Sequence, residues 1–346
     1  MELITLHRND EDQFTAFGES RIGGRKDNQD TFGAQHTEFG FVVTVCDGMG
    51  GGPGGKTASS IAVHEIIASI SEAGIQEESK NILIKAIRRA NMAIITAGNE
   101  QPSLRGMGTT ATVLLLTDRA AYVAHVGDTR VYQVRGHRKV FRTSDHSMVF
   151  DLVRQGVITE EQARLSAQSN VITRALGMKP DVEVDIAELP YQRGDRFLLS
   201  TDGVHGTMPE PELVRMVANH KTALGAVVDD IATTIDNNGR ENGGGHDNLT
   251  LAIVETKKNS KLQPKMTQFT KYLLLTLLLL CTFSIAANMY QYRSKKTPED
   301  FLVEMDSLQH RESVLQDSVR HLNDSLEKVS GQLKAIGDLI QGTTKK

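Results

Sequence analysis

The sequence predicts an α+β fold, in which antiparallel strands and helices occupy separate stretches of the chain. Four apolar or alternating segments between residues 110 and 142 are joined by connectors at 117–119, 127–129 and 135–138. Connectors this short join antiparallel strands, because parallel strands need a crossover of about a dozen residues or more. The helical patterns cluster on either side of these strands, which excludes a regular β-α-β order.

The predicted elements follow one another as a single domain over residues 1–256, and an apolar run at 41–46 comes first. The remaining elements are predicted from apolar periodicity. In chain order they are helices at 57–70 and 78–97, strands at 110–116, 120–126, 130–134 and 139–142, a mixed and partly helical stretch at 146–176, strands at 182–189 and 196–201, helices at 210–217 and 223–235, and a last strand at 248–255.

Composition limits the classes of function. The chain has 346 residues, of which 39% are hydrophobic and 24% charged, with a net charge of −4. These values are typical of a large globular domain with an additional segment, and the mildly acidic balance does not indicate nucleic-acid binding. Cys46 and Cys281 both lie in apolar runs, so we expect no disulfide framework and assign the main domain to a reducing compartment. The polar first 25 residues do not resemble a signal peptide.

A membrane anchor is predicted near the C-terminus. Residues 257–268 form a polar, basic linker, and the run at 269–292 carries no charge between Tyr272 and Tyr290. A single-span helix needs ~20 apolar residues; the alternative is a late hydrophobic helix of a soluble domain. The lysines before the run predict a single-pass cell-membrane protein, with a cytoplasmic N-terminal domain and an extracytoplasmic C-terminal segment.

The segment at 297–342 predicts a coiled-coil helix. Two sets of residues recur every seven positions, and Glu312 is their one polar member. They are Phe301, Leu308, Leu315, Leu322, Val329 and Ile336, and Met305, Glu312, Val319, Leu326, Leu333 and Ile340. Nearly six heptads favour a coiled coil and hence a homo-oligomer. The alternative is one helix packing on a different protein.

A glycine-rich stretch offers a competing interpretation of the whole domain. Residues 50–57 read GGGPGGKT, which matches the phosphate-binding pattern G-x-x-x-x-G-K-[ST] after a strand and before a helix. In that pattern the first glycine follows the strand closely, whereas Asp47, Gly48 and Met49 intervene here. A nucleotide-binding loop also requires a parallel sheet, which the short connectors disfavour. Loss of ATP binding in a Lys56→Ala variant would support this alternative.

Four aspartates recur where strands end or begin. Asp47, Asp128 and Asp202 each follow an apolar run and stand beside a glycine or a turn, and Asp247 precedes the last strand. One such aspartate is commonly a turn residue, but four in one domain favour a shared metal site. Ligation by oxygen alone selects Mg²⁺ or Mn²⁺. A pair of such ions is the arrangement used for phosphate-ester hydrolysis, and Arg25 suits contact with a phosphate.

Eight short motifs, which follow one another in order over about residues 14–256, resemble the motifs of the metal-dependent protein phosphatases of type 2C. Within that family the sequence is most similar to the bacterial branch, in which some members carry a C-terminal membrane span. The eight motifs are RxxNQD at 25–30, VCDGMGG at 45–51, GTT at 108–110, VGDTR at 126–130, TxDHS at 143–147, NVITRALG at 170–177, LSTDG at 199–203 and DNLT at 247–250. The resemblance implies a sandwich of two antiparallel sheets with helices outside. It also implies hydrolysis of phosphoserine and phosphothreonine in proteins, by direct attack of a hydroxide that bridges two Mn²⁺ or Mg²⁺ ions.

The same resemblance implies a set of metal ligands. By its motif, Asp47 bridges the two ions and the carbonyl of Gly48 ligates one of them. Asp202 and Asp247 complete the other, and Asp128 with Asp202 holds a third ion.

It further implies roles for residues around the metals. Arg25 binds the substrate phosphate, Asp30 and Asn248 support the site, and residues 145–177 form a mobile flap. The expected partners are phosphoprotein substrates and a cognate serine/threonine kinase whose action the enzyme reverses.

Several positions depart from the family pattern. Gln29 replaces a common acidic residue, and Met49 replaces a histidine proposed as general acid in eukaryotic members; a thioether donates no proton. Ser166-Ala167 replaces a frequent His-Pro pair in the flap. His205 and His246 flank two metal aspartates and are expected to be solvated neighbours rather than ligands. The remaining alternative is a pseudophosphatase that binds phosphoproteins, although decayed sites usually lose ligands.

Overall fold

Antiparallel pairing of strands organises the first of two structural units, Met1–Pro264 and Lys265–Lys346. The structure is a computed structural model that describes residues 4–8, 13–49, 53–74, 76–262, 268–294 and 298–343. The strands of the first unit are β1 (Ile4–Arg8), β2 (Phe14–Arg21), β3 (Thr31–Thr37), β4 (Gly40–Cys46), β5 (Gly48–Met49), β6 (Gly108–Thr109), β7 (Ala111–Leu116), β8 (Ala121–Val126), β9 (Arg130–Arg135), β10 (Arg138–Arg142), β11 (Asp185–Leu189), β12 (Arg196–Ser200) and β13 (Leu249–Thr256). Its α-helices are α1 (Pro53–Ser71), α2 (Ser79–Glu100), α3 (Met148–Arg154), α4 (Glu160–Arg164), α5 (Asp202–His205), α6 (Glu210–Val217) and α7 (Leu224–Glu241).

The strands form two large sheets and a two-stranded ribbon. One sheet has the order β1-β2-β13-β12-β9-β10, the other has the order β11-β8-β7-β4-β3, and β5 pairs with β6. Every strand pair among the described residues is antiparallel. The predicted α+β class and antiparallel sheets with flanking helices are therefore confirmed.

The apolar runs in the sequence are explained by strands that are buried on both faces. Along β12, Phe197 and Leu199 belong to the core between the two sheets, whereas Leu198 packs toward α6 and α7. Along β7, Leu114 lies in the same central core, and Leu115 packs toward α1 and α2. Side chains alternate between the faces of a strand, so two buried faces remove the usual apolar–polar alternation.

The register of the strands brings their ends to a common rim. Ser200, the last residue of β12, lies opposite Arg130 at the start of β9 and opposite Leu251 near the start of β13. In the other sheet, Val126 at the end of β8 lies opposite Ala111 at the start of β7. The aspartates next to these strand ends are thereby carried to one edge of the sandwich.

The structure adds elements at the N-terminus that the sequence analysis did not identify. The strands β1, β2 and β3 precede the apolar run at 41–46, which forms β4 as predicted. The sequence of β2, FTAFGESR, contains a glycine and two charged residues, Glu19 and Arg21, both of which are buried. Charges inside a strand weaken the apolar pattern that a sequence analysis relies on.

The first half of the predicted basic linker at 257–268 is hydrogen-bonded to the first unit in the structure. The backbone N–H of Lys257 donates to Gln13 O at 2.7 Å, and the N–H of Leu262 donates to Arg119 O at 2.7 Å. Residues 257–262 are therefore bound to the first unit. Residues 263–267 lie outside the described residues.

The second unit contains the helices α8 (Gln268–Ser294) and α9 (Pro298–Thr343). No helix formed by the described residues combines the length and apolar character that crossing a bilayer requires. The predicted span at 269–292 lies on α8, but the described side chains of α8 cover only 275–290, which is shorter than the ~20 residues of a span. The span is not confirmed, and its ends lie outside the residues whose side chains are described.

Candidate active site

A cleft of about 450 Å³ opens at the rim of the sandwich. It gathers the predicted metal ligands, the predicted phosphate-binding arginine and the predicted supporting asparagine, together with neighbouring polar residues. The lining residues are Arg25, Lys26, Asp27, Gln29, Asp47, Gly48, Met49, Thr110, Asp128, Asn170, Ile172, Asp202, Asp247 and Asn248. Asp30 does not line the cleft, although it is buried and its charge is felt by Asp47.

The backbone of Asp47 is held from both sides where β4 ends. Its N–H donates to Thr110 Oγ1 at 2.9 Å, and its carbonyl accepts from Thr110 N–H at 2.9 Å and from Thr109 Oγ1 at 2.8 Å. The next residue, Gly48, touches helix α1, and a Cβ there would lie 2.0 Å from the carbonyl oxygen of Gly55. Only glycine allows the backbone at Gly48 to pass this close to α1.

Asp202 begins the short helix α5, which the sequence analysis did not predict. Its Oδ1 atom is buried and has no hydrogen-bond partner among the described residues. The following residue, Gly203, lies against β13, and a Cβ there would stand 1.9 Å from the carbonyl oxygen of Asn248. This close approach joins the segment that carries Asp202 to the segment that carries Asp247.

Asn248 connects the loop of Arg25 to the start of β13. Its Oδ1 accepts from Gln29 N–H at 2.9 Å, and its Nδ2 donates to the carbonyls of Ile22 at 2.8 Å and Asp27 at 2.9 Å. Its own N–H donates to Asp247 Oδ1 at 2.8 Å. Asn248 therefore has the position expected of a supporting residue.

Arg25 forms an ion pair with Asp247. Arg25 Nη2 lies 2.7 Å from Asp247 Oδ2, and the two side chains are 49% and 35% exposed. The predicted phosphate-binding group and one predicted metal ligand are thus neutralised by each other. A cation bound at this carboxylate oxygen would compete with the guanidinium for it.

The buried carboxyl groups repel one another. Burial is the main reason why the pKa of Asp47 lies well above its usual range, and the charge of Asp30 raises it further. The pKa of Asp128 is also raised well above its usual range, mainly by burial and next by the charge of Asp202. Burial raises the pKa of Asp30 to about 7 and that of Asp202 to about 6. A group of carboxylates in this state is stabilised by protons or by bound cations.

The oxygen atoms of the cleft fit hard divalent cations, each of which would be held by only a few protein ligands. Within the described part of the chain, no three His, Cys, Asp or Glu side chains converge closely enough to enclose an ion by themselves. Among the described residues, the Oδ1 atom of Asp202 is a buried oxygen of the cleft without a hydrogen-bond partner, which a cation would satisfy. Mg²⁺ typically binds through one or two carboxylates while keeping several waters, and Mn²⁺ accepts the same oxygen ligands.

Lys56 is engaged in a way that disfavours the nucleotide-binding alternative. It lies in the first turns of α1, and its Nζ donates to Asp30 O at 2.6 Å and Thr31 Oγ1 at 3.0 Å. The surrounding sheets are antiparallel, contrary to the parallel sheet of nucleotide-binding loops. Gly50, Gly51 and Gly52 lie outside the described residues.

The expectation that His205 and His246 are solvated is wrong. The side chain of His246 is 10% exposed, and Nε2 lies 2.9 Å from Asp236 Oδ1. His205 is buried, and its Nδ1 is 3.1 Å from Ser200 Oγ. Both histidines are packed behind aspartates of the cleft.

The predicted flap at 145–177 contains α3 and α4 and is tied down at both ends. Arg130 holds Asp145 through two hydrogen bonds of 2.7 and 2.5 Å. At the other end Leu176 pairs with Thr109, whose hydroxyl also holds Asp47. The base of the predicted flap is therefore connected to the segment that carries Asp47.

The sequence analysis missed several residues of the site. No individual role was predicted for Thr109 and Thr110, which hold the backbone of Asp47. Nor was one predicted for Thr201, whose Oγ1 donates to Asp30 Oδ2 at 3.0 Å. Asn170 and Ile172, which line the cleft, were also missed. A threonine that holds a backbone from the neighbouring strand leaves no periodic signal. Its position within a short motif is the only indication in the sequence.

Comparison with known proteins identifies relatives of this domain. The sequence profile of the family described as "Protein phosphatase 2C" matches residues 17–242. The chain is 33% identical over 241 residues to "Serine/threonine phosphatase stp" of Listeria monocytogenes, and this match covers 68% of the chain and 93% of the relative.

Solved structures agree with the sequence matches. The serine/threonine phosphatase of S. agalactiae is 29% identical with a TM-score of 0.64, and the match covers 70% of this chain and all of the other. The catalytic domain of the serine/threonine protein phosphatase PstP, solved with two manganese ions, is 25% identical with a TM-score of 0.60, covering 71% of this chain and 99% of the other.

The close approach of Gly48 to α1 predicts that Gly48→Ala lowers stability and metal affinity. The added Cβ would collide with the Gly55 carbonyl, and such overpacking costs about 1–3 kcal/mol of the free energy of unfolding. Urea unfolding and Mn²⁺ titration calorimetry measure the two effects. The control is Gly74→Ala, where the nearest atom would be 4.0 Å away. Equal behaviour of the two variants would contradict the prediction.

The burial of His125 predicts a pH dependence of stability. Burial, followed by the charge of His146, lowers the pKa of His125 to about 3, so the folded chain excludes a proton that the unfolded chain binds below pH ~6.5. Stability therefore falls as the pH drops below ~6.5, by up to ~1.4 kcal/mol per pH unit. His125→Asn should show a flatter curve in urea unfolding than the wild type, whereas the exposed control His137→Asn should not. Parallel curves for His125→Asn and wild type would refute it.

Proposed function

Because this chain belongs to the protein phosphatase 2C family, whose members are metal-dependent protein serine/threonine phosphatases, we propose that the cleft at the rim is its active site. The observation that carries this proposal is the convergence of four aspartates and Arg25 on one cleft. The substrates would be phosphoproteins, and a serine/threonine kinase acting on the same proteins would be opposed by this enzyme.

The metal ligands of the proposed site are the four aspartates and the carbonyl of Gly48. Asp47 and Gly48 would hold one ion, Asp202 and Asp247 a second, and Asp128 with Asp202 a third, so that no ion would depend on three side chains. When bound, the ions polarise water and neutralise the phosphate oxygens. The chain itself fixes Asp47 through Thr110, and one oxygen of Asp202 has no partner among the residues that the structure describes, which supports this assignment.

Arg25 would orient the phosphate, because a guanidinium offers a fork of donors that matches two phosphate oxygens. Arg25 is half exposed at the mouth of the cleft and is held there by the ion pair with Asp247. Metal binding at Asp247 would release the guanidinium for the phosphate. Met49 lines the same cleft but has no proton to give, so the serine leaving group would take its proton from another source.

We expect Mn²⁺-dependent hydrolysis of para-nitrophenyl phosphate and of phosphothreonine peptides by the full chain. Asp47→Asn and Asp202→Asn should each lower kcat/KM more than ~100-fold, since even residues that only support metal ligands cost 10–100-fold. Chelation with EDTA should abolish the activity of the wild type, and Mn²⁺ should restore it. Asp181→Asn is the matched control, because the side chain of Asp181 is 92% exposed.

Two results of this assay decide between the enzyme and the pseudophosphatase. If the wild type shows no Mn²⁺-dependent turnover above Asp47→Asn and Asp202→Asn, the proposed active site is wrong. Turnover that depends on the aspartates but not on Mn²⁺ would refute the metal assignment alone.

We also propose that the second unit anchors the chain and joins it to a second copy. The sequence supports the anchor through the uncharged run between Tyr272 and Tyr290, with the catalytic unit in the cytoplasm and 297–342 outside. The pairing is supported by apolar heptad side chains of α9 that are at least half exposed. These are Met305, Leu308, Leu315, Val319, Leu322, Leu326 and Val329.

Truncation separates these two roles. The full chain should stay in carbonate-washed membranes and give cross-linked dimers or higher oligomers. A chain ending at residue 296 should stay in the membrane without cross-linking, and one ending at 268 should do neither. Release of the full chain by carbonate would refute the anchor, and unchanged cross-linking after removal of 297–346 would refute the pairing.

A further inference from the structure

The loop before Asp247 has little conformational preference of its own. Gly243, Gly244 and Gly245 all have positive φ angles, of 97°, 73° and 72°, and none would bring a Cβ within 4 Å of another group. Glycine adopts positive as well as negative φ angles at little steric cost, so these three residues do not by themselves determine the direction of the chain that follows them. The first side chain after the run is that of His246.

His246 is anchored to helix α7. Its Nε2 lies 2.9 Å from Asp236 Oδ1, and both side chains are at least nine-tenths buried, with exposures of 10% and 6%. An ionised carboxylate only accepts hydrogen bonds, so Nε2–H donates to Asp236. Asp236 is itself held by Arg240 Nη2 at 2.8 Å on its other oxygen.

A glycine on α7 makes room for the imidazole. A Cβ on Gly239 would lie 2.2 Å from Cγ of His246 and 2.4 Å from its Nδ1. The ring therefore lies flat against the helix backbone, one turn from Asp236. Nδ1 is buried and has no hydrogen-bond partner within the described part of the chain, so the hydrogen bond to Asp236 is the polar contact that orients the ring.

The backbone of His246 reaches the loop of Arg25. Its carbonyl accepts from Gly24 N–H at 2.9 Å. The two loops touch closely, since a Cβ on Gly24 would stand 2.3 Å from Gly245 N. Gly24 immediately precedes Arg25, and His246 immediately precedes Asp247. One anchored residue thus sits next to both members of the ion pair at the cleft.

We propose that His246 is a positioning residue that, through Asp236, fixes Asp247 for metal binding and Arg25 for phosphate binding. The proposal rests on the proposed function for what these two residues bind. The geometric part, that the Asp236–His246 pair orders the loops of Arg25 and Asp247, stands on the described contacts alone.

The variants separate the hydrogen bond from the volume of the ring. His246→Gln keeps an N–H donor at the end of a side chain of similar reach, whereas His246→Ala removes it. Gly239→Ala displaces the ring from Asp236 without changing His246, and alanine has a higher helix propensity than glycine, which favours folding. His220→Ala is the control, since His220 is 40% exposed and pairs with Glu255 outside the cleft.

Three measurements on the full chain test the proposal. Hydrogen exchange of the metal-free protein should show at least tenfold faster exchange of the Gly24 amide and of residues 243–248 in His246→Ala and Gly239→Ala. Mn²⁺ titration calorimetry should show affinity weakened by about tenfold, the lower end of the effect of residues that support metal ligands. KM for para-nitrophenyl phosphate should rise at saturating Mn²⁺, because Arg25 is misplaced, and His246→Gln should restore all three values to within about twofold to threefold.

The outcomes identify which part fails. Unchanged exchange, affinity and KM in both His246→Ala and Gly239→Ala would overturn the proposal. A His246→Gln variant as impaired as His246→Ala would also overturn it, because filling of space rather than the hydrogen bond would then explain the effect. If the wild type neither binds Mn²⁺ nor turns over phosphate, the proposed function fails, while hydrogen exchange still decides whether Asp236 and His246 order the loops.

Discussion

The burial of like charges is the constraint on which the rim of the catalytic unit depends. Burial raises the pKa values of Asp30, Asp47, Asp128 and Asp202, and the charge of at least one neighbouring aspartate raises each of them further. A carboxylate in this setting must be protonated, hydrogen-bonded or neutralised by a cation. The protein meets only part of this need, through the Thr201 hydroxyl at Asp30 and through Arg25 at Asp247. The site is therefore a preassembled polar network in which acidic side chains outnumber basic ones.

Such repulsion would spread the carboxylates apart if their backbones were free to move. Close contacts between backbone segments prevent this. Gly48 is pressed against the Gly55 carbonyl of α1, and Gly203 is pressed against the Asn248 carbonyl. These glycines are required by the neighbouring backbone and not by a turn conformation. Each contact ties an aspartate-bearing segment to a helix or strand that is packed in a hydrophobic core, so the rigidity of the sandwich is transmitted to the proposed metal ligands.

The sequence predicted the fold class and the aspartates of the cleft because both leave local signals. An apolar run followed by aspartate and a turn locates Asp47, Asp128 and Asp202 at strand ends, and the structure brings all three to one cleft. The burial of His205 and His246 was not predictable, because the partners of both lie on segments whose packing is set by tertiary structure. The strand β2 was missed for a related reason, since its buried Arg21 is compensated by Asp229, 208 residues away. The stretch GGGPGGKT is the opposite case, because its local pattern matches a nucleotide-binding loop but the antiparallel sheets around it do not fit that function.

The balance of charge also constrains the order in which ligands bind. The cleft is lined by five acidic residues, Asp27, Asp47, Asp128, Asp202 and Asp247, against two basic ones, Arg25 and Lys26. Arg25 is already paired with Asp247, so an approaching phosphate dianion meets an excess of carboxylate in the metal-free cleft. Divalent cations bound as proposed would reverse this sign, satisfy the Asp202 oxygen that has no partner among the described residues and compete with Arg25 for Asp247. On the proposed function, cation binding would therefore precede phosphate binding, and the same event that would make the cleft attractive to phosphate would also free the guanidinium proposed to orient it.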